Sequence, residues 1–176
     1  MPIIAIPDPS LVVMIGAAGA GKSTFAARHF HQSEILSSDA FRRLIAGDEA
    51  DQSATRAAFV RLHRELEQRL AARRLTVVDA TNLEPSARRA LLVRARTAGL
   101  PAIAIVLDLP VATVLSRNGA RSGRSVDELV VRRHLDRLRH VIDGSGARLE
   151  AEGFGQVVVL RDPPGVDEVT LVRRPS

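Results

Sequence analysis

Leu11-Val12-Val13-Met14-Ile15-Gly16-Ala17-Ala18-Gly19-Ala20-Gly21-Lys22-Ser23-Thr24 decides how this sequence folds. Five apolar residues run into a glycine, as in a strand buried on both faces. The next eight residues, Gly16 to Ser23, have the spacing G-x-x-x-x-G-K-S. Such a loop turns tightly enough for its backbone N–H groups to converge on phosphate oxygens. Gly16, Gly19, Ala20 and Gly21 form the cradle, and Lys22, Ser23 and Thr24 open a predicted helix over Gly21–Phe30 whose positive end faces the same anion. Lys22 is placed to reach the terminal phosphates and Ser23 to ligate magnesium. Lys22 is also the sole lysine; the other cationic side chains are arginines.

The rest of the chain repeats the pattern of strand then helix. Ile35–Leu36, Leu75–Val78, Ile103–Leu107 and Val157–Leu160 read as further strands. Val169–Val172 is a candidate sixth strand at the sheet edge. Predicted helices cover Phe41–Ile45, Ala57–Arg74, Pro85–Ala98, Val111–Arg117 and Val126–Ile142, with Asp48–Gln52 as a loop. Strands alternating with helices predict an α/β fold: a mainly parallel five-stranded sheet flanked by helices.

Length and composition agree. The 176 residues suit one domain, and 45% hydrophobic with 26% charged residues excludes a disordered tail, a collagen repeat or a coiled-coil rod. Without cysteine there is no disulfide, thiolate metal site or cysteine nucleophile. No apolar run reaches the length of a membrane span. Met1–Ser10 has three prolines and no basic start, unlike a signal peptide. The expectation is a cytoplasmic protein. A net charge of +5 suits phosphate-bearing partners. Five phenylalanines with no Trp or Tyr leave no aromatic strip for stacking bases. His29 and His31 read as caps at the end of the first helix rather than a metal pair.

Two acids stand where strands end, Asp39 in Ile35-Leu36-Ser37-Ser38-Asp39 and Asp79 in Thr76-Val77-Val78-Asp79. Ligands of open α/β sheets sit beyond the carboxyl ends of strands. Asp79 fits an acid near magnesium or its waters, and Asp39 a base for an acceptor hydroxyl. Helix capping is the plainer role open to each. Arg117, Arg121 and Arg124 lie in a stretch interrupted by Gly119 and Gly123. Spacings of four and three put them on one side of a helix. They suit either a mobile lid over a nucleotide or a solvated basic face.

Taken together, these segments resemble the kinase modules of bacterial polynucleotide kinase–phosphatases. The resemblance rests on the Leu11–Ser23 stretch, Ser37-Ser38-Asp39 with Arg42, and Asp48-Glu49-Ala50-Asp51-Gln52. It continues through Leu75–Asn82 and Arg117-Asn118, Arg121, Arg124 into Val131-Arg132-Arg133-His134, in collinear order along nearly the whole chain.

It implies a phosphate-loop kinase fold over residues 1–176, with an arginine-rich helical lid within 115–143. It implies transfer of the ATP γ-phosphate, with Mg2+, to a 5′-hydroxyl end of DNA or RNA. Asp39 would be the base, and Arg42 would hold the acceptor's phosphate. Lys22, Arg117, Arg121 and Arg124 would surround the donor phosphates. The family carries phosphatase and ligase-like domains beyond the kinase, whereas this chain stops at Ser176. The expectation is either an excised module, monomeric by itself and one part of a larger end-healing protein, or a stand-alone kinase. Two rivals stay open: a phosphate-loop kinase of a small metabolite (sugar, antibiotic or nucleotide sugar), and an ATP-binding regulatory module without transferase activity.

Overall fold

The computed structural model describes residues 3–46, 52–121 and 125–175. Its seven strands are β1 (Ile3–Asp8), β2 (Leu11–Gly16), β3 (Ile35–Ser37), β4 (Thr76–Asp79), β5 (Ala102–Leu107), β6 (Gln156–Leu160) and β7 (Thr170–Pro175). Its helices are α1 (Lys22–His29), α2 (Ser38–Ala46), α3 (Gln52–Ala71), α4 (Pro85–Thr97), α5 (Val111–Gly119), α6 (Glu128–Ile142), α7 (Ala147–Glu152) and α8 (Pro163–Asp167).

Five strands form one parallel sheet in the order β3-β4-β2-β5-β6. β2 and β5 lie inside it with every residue buried, which is why both read as unbroken apolar runs. Alternate residues of β2 serve opposite layers. Val12 and Met14 pack with Phe25, Ala26, Val131 and Leu135. Leu11, Val13 and Ile15 pack with Leu62, Leu66, Leu70, Leu91 and Leu92. The chain leaves β2 toward β3 on one side and leaves β5 toward β6 on the other. The crevice where connections diverge therefore opens at the carboxyl ends of β2 and β5, above the glycine-rich loop.

Several expectations change. The segment read as a sixth edge strand spans Thr170–Pro175 and does not join the main sheet. It pairs in parallel with β1, from Ile3 opposite Thr170 to Asp8 opposite Pro175. This ribbon buries Ile4, Ile6, Val166 and Val169 over the layer that holds Phe25. β1 carries the alternating burial of a half-covered strand, although Pro7 within it argues against one by sequence.

Asp39 does not end a strand; β3 stops at Ser37, and Asp39 lies in the first turn of α2. Gly119 does not interrupt the arginine stretch but completes the last turn of α5. The expected loop at Asp48–Gln52 lies outside the described residues except for Gln52, which begins α3. α6 packs one face into the core through Val131, Leu135, Leu138, Val141 and Ile142, all buried. His29 stacks on Phe25 at a ring separation of 4.4 Å. His31 caps the following turn at Gln32–Glu34, not the first helix.

Candidate functional site

The cradle is built as its sequence requires. Gly19 (φ +84°) and Gly21 (φ +96°) adopt the left-handed backbone that a side chain disfavours. Gly21 stands at the N-terminus of α1, so the first free amides of that helix face the crevice. The loop is pinned at its start by the β4–α4 connection. Gly16 N–H donates to the Thr81 carbonyl at 3.1 Å, and Asn82 Nδ2 donates to the Met14 carbonyl at 2.8 Å.

That connection is itself held by Arg88, whose side chain is 1% exposed. Arg88 donates to the Asn82 and Leu83 carbonyls at 3.0 and 2.8 Å and to Glu152 at 2.7 and 2.6 Å. A buried guanidinium is tolerated because nearly all its donors are used.

Lys22 is buried, and Nζ donates to the Gly16 and Ala17 carbonyls at 3.0 and 2.8 Å. An ammonium has three donors, so one remains for an anion in the cradle. Burial pushes the Lys22 amine down to about 8, against the opposing pull of Asp79 and Asp39 and with a further push from Arg121. The next residue, Ser23, donates its hydroxyl to Asp79 Oδ2 at 2.7 Å. These two oxygens come from the first turn of α1 and the end of β4. They form the hard-oxygen donor set that suits magnesium, which completes its shell with water and phosphate. No group of three or more His, Cys, Asp or Glu side chains suited to a metal occurs among the described residues.

A cavity of about 470 Å³ opens over this pair and contains most of the expected site. Gly19, Gly21, Lys22, Ser23, Asp39, Arg42, Asp79 and Arg121 all line it. Asp39 and Arg42 form an ion pair, and Arg42 Nη2 also donates to Ser38 Oγ at 3.3 Å. Phe59, Val126 and Val130 supply an apolar wall.

A second cavity, of about 310 Å³, meets the first at Gly21 and Arg121. Thr24, Phe25, Arg28, Arg117 and Val166 line it. Arg117 Nη1 donates to the Ala20 carbonyl at 3.5 Å. Arg117 and Arg121 thus face one region, as their spacing implies. Arg124 lies outside the described residues.

Residues 11–144 match the AAA domain family. The chain belongs to that family. A comparison with curated proteins by sequence gives no match. Among solved structures, this AAA domain resembles a chain of the Pnkp1/Rnl/Hen1 RNA repair complex, at TM-score 0.64 and 24% identity. That likeness covers 78% of this chain and 46% of the other, so the AAA domain spans less than half of it. It also resembles a gluconokinase from Sinorhizobium meliloti 1021, at TM-score 0.55 and 19% identity, covering 93% and 88% of the two chains. A shikimate kinase from Acinetobacter baumannii in complex with shikimate matches at TM-score 0.53 and 18% identity, covering 90% and 88%. The shared fold is that of phosphate-loop kinases. No helix among the described residues is long and apolar enough to cross a membrane.

Two residues quoted above only as part of the resemblance, with no role of their own, take a place at the site. Asn118, on α5, buries its amide in a pair of hydrogen bonds with the backbone of Val126, at 2.7 and 3.1 Å. His134 accepts from the Ala18 N–H through Nδ1 at 3.4 Å. Its position three residues after Val131, beside the buried stripe of α6, is the sequence signal for this contact.

Proposed function

We propose that this AAA domain is an ATP-dependent kinase that transfers the γ-phosphate to the 5′-hydroxyl end of DNA or RNA. The observation that carries the reading is the presence of Asp39 and Arg42 in the same cavity as Lys22, Ser23 and Asp79. A carboxylate beside a guanidinium, facing a phosphate cradle, suits an acceptor with a hydroxyl next to an anion. The first phosphodiester of a 5′-hydroxyl strand provides that pair.

The donor's phosphates occupy the glycine-rich loop, and its base and ribose extend into the smaller cavity beside Phe25, Val166 and Arg117. Ser23 and Asp79 would hold magnesium, which when bound neutralises charge on the donor phosphates. Lys22, the loop amides, Arg117 and Arg121 stabilise the charge on the transferring group. Asp39 orients the acceptor hydroxyl and takes its proton. The hydroxyl oxygen bonds to the γ-phosphorus as the bond to the bridging oxygen breaks, and ADP leaves. Arg42 keeps donors free beyond its pair with Asp39. These hold the acceptor phosphate without reading base sequence.

A second reading, a kinase of a small metabolite, draws support from the apolar wall of Phe59, Val126 and Val130 on the acceptor side. The ratio of kcat/KM for a nucleoside 3′-phosphate over the bare nucleoside separates the two. The wild type is expected to prefer the phosphorylated nucleoside. Arg42→Ala is expected to lose that preference by roughly ten- to a hundredfold, the value of a charge-assisted contact to phosphate. A wild-type ratio near one would contradict the polynucleotide reading.

A further inference from the structure

The loop, α1 and the arginines supply the proposed phosphate-facing groups, yet one histidine also touches the cradle. His134 lies 116 residues from Ala18, and its Nδ1 accepts the Ala18 N–H. To do so Nδ1 must be unprotonated, which places the ring proton on Nε2. The ring sits on α6 and lines the larger cavity beside Lys22 and Ser23. Because Val131, Leu135 and Leu138 anchor α6, the ring can turn but cannot withdraw.

The charged groups around it are Lys22 from α1, Arg137 on α6 itself and Glu84 from the connection before α4. Asp39, Arg42, Asp79 and Arg121 share its cavity. Burial first, then Lys22 and Arg137, hold its pKa below the ordinary histidine value, against the pull of Glu84. These surroundings favour the neutral acceptor. An anion in the cradle reverses the local field and favours the imidazolium.

We propose that His134 is a ligand of the donor's terminal phosphate. As the neutral ring it accepts the Ala18 N–H. With a triphosphate bound it takes a proton from solvent onto Nδ1 and releases that amide. The imidazolium and the freed N–H then both donate to a terminal-phosphate oxygen. The inference rests on the cavity being the ATP site and is independent of the acceptor's identity.

The test measures proton uptake and the histidine titration directly. A non-hydrolysable ATP analogue and ADP, each with magnesium, are titrated into the protein by calorimetry in buffers of different ionisation enthalpy. The five histidines are followed by NMR, with His134→Gln identifying the His134 signal. Gln keeps an acceptor for Ala18 but cannot titrate.

Binding of the analogue is expected to draw a proton into the wild type and to raise the His134 midpoint by about one to three pH units. ADP should do neither to the same extent. His134→Gln should lose the uptake and bind the analogue roughly tenfold more weakly, with ADP affinity unchanged. Equal proton counts and midpoints for analogue and ADP would overturn the proposal. So would His134→Gln retaining the wild-type difference between the two. Failure to bind either nucleotide would overturn it together with the ATP site. Nucleotide-linked protonation in a protein that does not phosphorylate 5′-hydroxyl ends would sustain it while refuting the acceptor reading.

Discussion

Gly19 lies directly against Asn118. A methyl group added at Gly19 would stand 2.9 Å from the Asn118 Cβ and 2.8 Å from the Val114 carbonyl oxygen. The phosphate loop is therefore moulded onto α5, the helix that carries Arg117. Gly19→Ala combines a left-handed backbone with an overlap against main chain, and a loss of about 2–4 kcal/mol is expected. Gly99 is the control, with φ +64° and nothing within 4 Å of an added methyl. Gly99→Ala should cost only the backbone strain. Thermal unfolding of both variants checks the difference, and equal shifts would show that the loop is not held against α5.

The second prediction concerns pH. With one lysine and neither tyrosine nor cysteine, Lys22 is the only side chain expected to titrate between about pH 8 and 10.5. Its amine is near 8 in the fold against 10.5 when free. In that window the unfolded chain binds the extra proton, so stability rises with pH. Below pH 8 the charged, buried amine costs its full penalty. Across the window up to about 3 kcal/mol is recovered. Denaturant unfolding from pH 8 to 10.5 should show this rise in the wild type and not in Lys22→Met. The same variant should lose phosphoryl transfer while remaining folded.

Asp39→Asn keeps the shape of the acceptor side and removes the base. Single-turnover transfer is expected to fall by ~10²–10⁴-fold. ATP affinity by calorimetry should change little, because Asp39 lies in α2 and not in the loop. Lost ATP binding with preserved chemistry would refute the assignment.

Arg88 tests the support behind the loop. Arg88→Ala leaves the Asn82 and Leu83 carbonyls and Glu152 without a partner. Breaking a buried pair from one side costs about 3–5 kcal/mol, to be read from urea unfolding. Glu152→Gln should cost less, because Glu152 is 29% exposed and water can replace its contacts.

Much of this architecture is legible in the sequence, for physical reasons. The cradle announces itself because phosphate binding dictates residue type at Gly16, Gly21, Lys22 and Ser23. β2 and β5 are legible because strands covered on both faces can only be apolar throughout. Asp79 ends such a strand, β4, within hydrogen-bond reach of Ser23. Asp39 reads as a strand end because α2 starts immediately after the three residues of β3, leaving no loop to mark the change.

The β1–β7 ribbon was hidden for another reason. It pairs the two ends of the chain, and no local pattern encodes a partner more than 160 residues away. Arg88 reads as one of many surface arginines until Glu152 is brought to it by α7, a helix of six residues with little periodicity to detect.

A competition between acceptors tests which hydroxyl receives the phosphate. The protein is incubated with γ-labelled ATP, magnesium and equimolar 5′-hydroxyl DNA, 5′-hydroxyl RNA and a panel of small alcohols that includes gluconate and shikimate. Label is expected on the 5′ ends of the oligonucleotides, and it should vanish with Asp39→Asn. Label on a small alcohol with none on either oligonucleotide would contradict the polynucleotide assignment, and ATP binding without label on any acceptor would contradict transferase activity itself.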